Sequence, residues 1–202
     1  MSVVIIDSGG ANIASLQAAL NRLGAESRVS ADAEVIRRAP RVLLPGVGSA
    51  HDAMSRLRIA GLDQLIPQLK QPLLGICLGM QLLYERSEEG PANCLGVIPG
   101  VIGKLRSVPD RPVPHMGWNQ MTQVHADPLL DGISSLDYVY FVHSFAAPTS
   151  GATVAITDYG TAFTSVVRHD NFCGTQFHPE RSGVVGARIL ANFLKEGGSK
   201  PS

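Results

Sequence analysis

The residues best placed to do chemistry lie at the end of an apolar run, Leu73-Leu74-Gly75-Ile76-Cys77-Leu78-Gly79-Met80-Gln81. Gly-x-nucleophile-x-Gly is the pattern of a nucleophile elbow, here with cysteine in place of serine. A sharp strand-to-helix turn lifts such a side chain clear of its sheet, and the crowding favours neighbours without a Cβ. At the start of the following helix, Cys77 would gain thiolate character from the helix dipole, and thiolate is the reactive form. The competing reading is a buried core cysteine, because free cysteine is among the most buried residue types. A thiol needs a base, and the base needs a carboxylate to hold its tautomer and stabilise imidazolium. Far along the chain, an extended stretch over 172–177 runs directly into His178-Pro179-Glu180. His178 and Glu180 at the mouth of a strand could supply both groups, and Pro179 keeps His178 out of helical conformation. Taken singly, His178 reads as an ordinary surface histidine and Glu180 as a helix-start carboxylate. Taken with Cys77, they read as a triad.

The elements that must position these residues alternate in the first half of the chain. Residues 3–6 read as a short apolar strand. Over 12–23, Ile13, Leu16, Leu20 and Leu23 fall at helical spacing and Gly24 closes the helix. A weak strand at 26–29 and a short helix at 33–38 follow. A third strand at 41–44 ends at Pro45, and helical segments fill roughly 50–69. Residues 72–76 form the strand that delivers Cys77, and 78–84 its helix. This repeat argues for an α/β fold: a central, mostly parallel sheet flanked by helices on both faces. The second half is richer in strands, predicted at 97–105, 117–124, 138–144, 153–157, 162–168 and 172–177, with a proline-rich loop at 107–114 and a final helix at 183–194. No repeat or low-complexity tract divides the chain, so one domain is expected over 1–202. Ligands of such sheets bind beyond the carboxyl ends of the strands. Cys77 and His178-Glu180 each follow a predicted strand end, and so does Pro45-Gly46-Val47-Gly48. That turn could aim backbone N–H groups at a developing oxyanion; by itself it reads as a turn.

Bulk properties narrow the function classes. The chain has 202 residues, 45% of them hydrophobic and 17% charged, which argues for a packed domain rather than disorder. Lys+Arg and Asp+Glu both total 17 with no basic run, so nothing suggests a nucleic-acid partner. Cys77, Cys94 and Cys173 are an odd count at irregular spacing, which favours a reduced, cytoplasmic setting over a disulfide framework. The start, Met1-Ser2-Val3-Val4-Ile5-Ile6-Asp7, enters a strand without a basic leader, and no apolar run is long enough to cross a membrane. The tail over 196–202 is expected to fray. His178-x-Glu180 has the spacing of a deaminase His-x-Glu, but no Pro-Cys-x-x-Cys follows, so no metal is expected. Gly9-Gly10 lacks Gly-x-Gly-x-x-Gly spacing, which argues against a dinucleotide, and no cofactor is expected. His115 and His143 read as structural groups in loops. Trp118, the only tryptophan, reads either as core packing or as an interface anchor.

Together, Pro45-Gly46-Val47-Gly48, Gly75-Ile76-Cys77-Leu78-Gly79-Met80-Gln81 and Gln176-Phe177-His178-Pro179-Glu180 resemble the class I (triad) glutamine amidotransferases. Pro114-His115-Met116-Gly117-Trp118-Asn119 and Tyr140-Phe141-Val142-His143-Ser144 are similar to segments of one group within them, the glutaminase subunits of imidazole glycerol phosphate synthase. The likeness covers nearly the whole chain. It implies a flavodoxin-like three-layer fold, Cys77 as nucleophile, His178 as base and Glu180 as its orienting carboxylate. It further implies an oxyanion hole from the Val47 and Leu78 backbone N–H groups, and glutamine contacts at Gly46, Gln81, Ser144 and Phe145. Asn12, Trp118 and Arg181 match the family's partner-facing positions. The implied partner is a (β/α)8-barrel cyclase, bound as a heterodimer, which receives ammonia from a glutaminase that is nearly idle alone. The chain departs from the family pattern at Ser8 and Ala11, at Phe145 in place of tyrosine and at Arg181 in place of lysine. Those departures are expected at the partner surface. Three rival readings remain open: the glutaminase subunit of another class I amidotransferase, a non-catalytic binding module on the same scaffold, and a stand-alone cysteine hydrolase.

Overall fold

The computed structural model describes residues 1–8, 13–123 and 125–196. The chain runs β1 (Ser2–Ile6), α1 (Ile13–Arg22), β2 (Glu26–Ser30), α2 (Ala33–Arg38), β3 (Val42–Gly46), α3 (Ala50–Ile59), α4 (Leu62–Leu65), β4 (Leu73–Cys77) and α5 (Leu78–Gln81). It continues with β5 (Tyr84–Ser87), β6 (Ala92–Asn93), β7 (Ile98–Lys104), β8 (His115–Gln120), β9 (Thr122–Gln123), β10 (Tyr138–His143) and β11 (Phe145–Ala146). The chain then forms β12 (Thr153–Asp158), β13 (Ala162–His169), β14 (Phe172–Thr175) and α6 (Gly183–Lys195).

Eight strands form the main sheet in the order β2-β1-β3-β4-β14-β13-β12-β9. Its first five strands pair in parallel, and β13, β12 and β9 extend it antiparallel. The expected mostly parallel centre is therefore present, with an antiparallel flank. Period-2 alternation sorts the strand residues into two cores. Val4, Ile6, Val42 and Leu44 pack with Ile36, Met54, Leu57 and Leu62 from α2, α3 and α4. Val3, Ile5, Leu43 and Leu74 face the other way, onto Leu16 and Leu20 of α1 and Ile189, Leu190 and Phe193 of α6. This is the three-layer arrangement the sequence pattern implied.

Helix starts follow from side-chain caps. Asp32 accepts from the Glu34 and Val35 N–H groups and opens α2, and Ser49 accepts from Asp52 N–H to open α3. The helical span expected over 50–69 is broken by Gly61, whose φ of 66° ends α3 and begins α4. The strand expected to stop at Pro45 runs on through Gly46, because parallel pairing to β4 continues as far as Gly46 opposite Cys77.

Two expectations fail in an informative way. The helix predicted over 78–84 is a single turn, and Tyr84 opens β5 instead. β5 joins a separate four-stranded sheet in the order β11-β7-β5-β6, so pairing with β7 overrides local helical pattern. The loop placement of His115 and His143 is also overturned. Both lie in a two-stranded ribbon, β8 with β10, directly opposite one another. The strand expected over 138–144 already takes in His143, whereas β8 starts two residues before the strand expected at 117 and takes in His115. Gly9, Gly10, Ala11 and Asn12, and the tail beyond Glu196, about which the sequence raises expectations, lie outside the described residues. No helix among the described residues is long and apolar enough to cross a membrane.

Candidate active site

Three neighbouring strands converge at one edge of the sheet. β3, β4 and β14 are parallel and in register, with Gly46 opposite Cys77 and Ile76 opposite Thr175. Their carboxyl ends therefore bring Gly46-Val47, Cys77 and His178 together, although they are far apart in sequence. Cys77 itself has φ 53° and ψ −111°, a backbone conformation that L side chains avoid and that marks a strained turn. Glycine is required around it by close approach. A Cβ on Gly79 would lie 1.7 Å from the Leu44 carbonyl oxygen, and one on Gly75 would lie 2.7 Å from the Gly79 carbonyl oxygen. The elbow expectation holds in backbone form. Cys77 is the N-cap of the following helix, as expected, but α5 has only four residues and offers a short dipole.

His178 sits in extended conformation with φ −98° and ψ 99°, as the following proline demands. Its N–H donates to the Tyr140 carbonyl at 3.0 Å. The Ser182 hydroxyl donates to the His178 carbonyl at 2.7 Å and accepts from Tyr140 N–H at 2.9 Å, which ties the histidine to β10. Gly186 lets α6 close over this segment, since a Cβ there would lie 1.9 Å from the Pro179 carbonyl oxygen. His178 Nδ1 is 2.8 Å from Glu180 Oε1, and the Glu180 side chain is almost fully buried. The other side of the imidazole is hydrogen-bonded with Cys77. Burial pulls the imidazole pKa down. Hydrogen bonding to Cys77 and Glu180, and then their charges, outweigh burial and hold it up at about 10.

A cavity of about 470 Å³ opens over these groups, lined by Gly46, Val47, Cys77, Leu78, Gln81, Glu89, Ser144, Phe145, His178 and Arg181. Its volume falls in the range of small-molecule sites. Val47 and Leu78 lie on its wall with Cys77. Trp118 is 55% exposed on the ribbon, which removes the core-packing reading, and its ring meets Tyr140 edge-on at 5.8 Å. The Arg181 guanidinium lies over the Tyr140 ring at 4.8 Å. Ser8 is buried rather than on the surface. Its hydroxyl donates to the Pro45 carbonyl at 2.7 Å, and its own carbonyl accepts from Arg56 Nε at 2.6 Å. Phe145 lines the cavity and pairs with β7. Phe145 therefore reaches the site itself, while Ser8 braces the Pro45 carbonyl near the end of β3.

Two further residues belong to the site, Glu89 on the cavity wall and Gln176 against the Cys77 sulfur, and His115 and His143 are structural groups in strands rather than loops. Glu89 lines the cavity, accepts from Ala50 N–H at 3.1 Å and has its pKa raised by burial, against the pull of that hydrogen bond. Nothing in its local pattern marks it. Gln176 is fully buried and its Nε2 approaches Cys77 Sγ at 3.7 Å. Its place two residues before His178 was the available signal, since alternate residues of an extended chain share a face. His143 Nδ1 lies 2.9 Å from the Phe145 carbonyl and must donate to it, which leaves Nε2 as an acceptor for His115 Nδ1 at 3.1 Å. His115 is stacked on Tyr159 and Phe141, with centroids at 3.9 and 4.7 Å. Burial, with a smaller push from Arg111, lowers its pKa to about 4. Burial lowers His143 to about 3 against its bond to Phe145, helped by the charges of His115 and His178.

A strained cysteine elbow beside a buried His–Glu pair, at the strand ends of a three-layer α/β domain, is the architecture of a cysteine-dependent amide-cleaving enzyme. The family model for "Glutamine amidotransferase class-I" matches residues 4–196, and the chain belongs to that family. It is 52% identical over 193 residues to "Imidazole glycerol phosphate synthase subunit HisH" of Xanthomonas campestris pv. campestris strain 8004, covering 96% of each chain. The protein of the same name from Xylella fastidiosa strain Temecula1 is also 52% identical, again over 96% of both chains. A solved structure described as a glutamine amidotransferase superposes with TM-score 0.74 at 18% identity, covering 96% of this chain and 97% of that one. PurLQS from Thermotoga maritima superposes with TM-score 0.69 at 17% identity over the same shares. These two likenesses bear on the fold alone.

Proposed function

We propose that this chain is the glutaminase subunit of an imidazole glycerol phosphate synthase, working in the cytoplasm as a heterodimer with a barrel-shaped cyclase. The observation that carries this reading is the Cys77–His178–Glu180 hydrogen-bonded series at the mouth of the cavity. The proton shared between Cys77 and His178 rests on the imidazole when the sulfur attacks the side-chain amide carbon of glutamine. The Val47 and Leu78 backbone N–H groups receive the oxyanion, a donor of this kind being worth about 3–4 kcal/mol in a preorganised site. His178, kept protonated by Glu180, gives its proton to the departing ammonia. Water, deprotonated by His178, then attacks the thioester and releases glutamate. Glycines at 75 and 79 hold the sulfur forward, and Glu180 fixes the imidazole tautomer.

The substrate's amino-acid end is recognised by charge. Glu89 and Arg181 put one acid and one base on the cavity wall, complementary to an α-ammonium and an α-carboxylate. Gln81 spends both Nε2 hydrogens inside the protein, on the Phe145 carbonyl at 2.8 Å and Gln176 Oε1 at 2.9 Å. Its Oε1 is left to accept from substrate. Gly46, Ser144 and Phe145 supply backbone and wall contacts. Trp118 and Arg181 face the cyclase; Asn12 is assigned to that surface by the family resemblance alone. Ammonia released into water is protonated and lost as a nucleophile, which is the physical reason for a sealed path into the partner. No cofactor enters any of these steps.

The test is glutamine hydrolysis by the chain with and without the cyclase barrel. The proposal expects stimulation by the barrel and its loss in Cys77→Ala. Equal turnover without a partner indicates a stand-alone hydrolase, and no turnover in any mixture indicates a binding module.

A further inference from the structure

One acceptor fixes the polarity of a buried chain of hydrogen bonds that ends on the sulfur. The Phe145 carbonyl oxygen can only accept. It takes His143 Nδ1–H at 2.9 Å from one side and Gln81 Nε2 at 2.8 Å from the other. Gln81 must therefore present its NH2 group inward, and the second hydrogen of that group meets Gln176 Oε1 at 2.9 Å. With its oxygen so engaged, the Gln176 amide turns its own NH2 group toward Cys77 Sγ, at 3.7 Å. No alternative amide orientation preserves these contacts, because reversing Gln81 would set oxygen against oxygen at Phe145. Gln176 and Gln81 are both nearly inaccessible to water, so solvent does not compete with them.

We propose that Gln176 is a further catalytic residue, donating a hydrogen bond from its side-chain amide to the Cys77 sulfur and stabilising the thiolate. The inference rests on the reading of Cys77 as nucleophile. Around the sulfur, the Val142 carbonyl oxygen lies at 3.9 Å and can accept only while the thiol keeps its proton. The titratable and charged groups facing the same cavity are His178 with Glu180 behind it, His143, Glu89 and Arg181. Among the described neutral side chains hydrogen-bonded to the sulfur, Gln176 offers it an N–H. A donor to a charged sulfur favours the charged form. The four-residue helix after Cys77 offers only a short dipole for that purpose, which leaves the amide and the imidazole as the main groups to do it. The Phe145 carbonyl also belongs to the segment that lines the substrate's end of the cavity, so the same chain couples the placement of that segment to the state of the nucleophile.

The experiment measures iodoacetamide alkylation of Cys77 against pH in the full chain, alone and with the cyclase barrel, the modified peptide being read by mass spectrometry. Gln176→Met keeps the volume and removes the donor. Its alkylation midpoint is expected to rise by about one pH unit, or about tenfold less thiolate at fixed low pH. Glutaminase kcat is expected to fall about 10- to 100-fold through the lost contact to sulfur, and any rise in KM reflects the Gln81 amide that loses its acceptor on Gln176. A folded Gln176→Met protein with an unchanged midpoint overturns the proposal. Should that variant fail to fold, the wild-type protein still decides. The Gln176 side-chain amide resonance must move with the Cys77 titration and hold still in Cys77→Ala; an amide indifferent to the sulfur's charge also overturns it. The nucleophile reading fails separately, by activity surviving in Cys77→Ala, which leaves the alkylation result intact.

Discussion

His178 and His143 line the same cavity and are both nearly closed to water, yet they are held in opposite protonation states. Burial acts on both in the same direction, disfavouring the charged ring. At His178 a thiol on one side and a buried carboxylate on the other reverse the effect, and the pKa stands at about 10. At His143 the neighbours are a carbonyl and a second histidine, and the pKa falls to about 3. Residue type and depth therefore do not decide what a histidine can do. Its bonded partners do: one imidazole can carry a proton through a reaction, and the other works as a fixed, neutral link between β8 and the Phe145 carbonyl.

The largest effect should come from removing the group that gives His178 its task. Cys77→Ala is expected to lower partner-stimulated glutamine turnover by about 10⁴-fold or more; retention of more than a few per cent would break the comparison at its charged end. Next is Glu180→Gln. It deletes the charge that opposes burial, so the alkaline limb of kcat/KM should move to lower pH, away from about 10. kcat should fall about 10²- to 10⁴-fold. A limb that stays in place would mean that Glu180 does not set the imidazole.

The neutral pair predicts the reverse dependence. His115 and His143 bind protons more weakly folded than unfolded. Their contribution to stability is thus complete above about pH 6.5 and lost as pH falls toward about 4. His178 binds more tightly folded, so its contribution is complete below about 6.5 and lost as pH rises through about 10. Chemical denaturation across pH should show His143→Gln flattening the acid arm alone, at a cost of about 1–3 kcal/mol near neutrality. Loss of the acid arm in His178→Asn instead would reverse the assignment. The smallest effect on the isolated chain belongs to Trp118→Ala. Its ring is 55% exposed, so stability should change by less than about 0.5 kcal/mol. Affinity for the cyclase should weaken about 10- to 30-fold, as for an interface anchor, and calorimetric titration would expose an idle side chain.

Much of this was legible in the chain because its signals are local. Gly75 and Gly79 around Cys77, the His178-Pro179-Glu180 segment and the alternating strands and helices of the first half are all patterns within a few residues. The helix expected after Cys77 is longer than the single turn observed, because Leu78, Leu82 and Leu83 have helical spacing while Tyr84 is captured by β7. Nothing in the sequence signals that His115 and His143 meet, because their pairing joins segments far apart in the chain. Glu89 could not be read at all, since only the packing of its loop against Ala50 turns it to the cavity.

By itself the amino-acid sequence determined which groups are available: a thiol, an imidazole and a carboxylate, with glycine where the turn leaves no room for a Cβ. Those are properties of residue type and near-neighbour spacing. The tertiary structure alone decided which imidazole holds a proton and which amide points at the sulfur. A side chain's charge and orientation answer to burial and to whatever group lies within about 3 Å, and those neighbours come from strands that meet only when the chain folds.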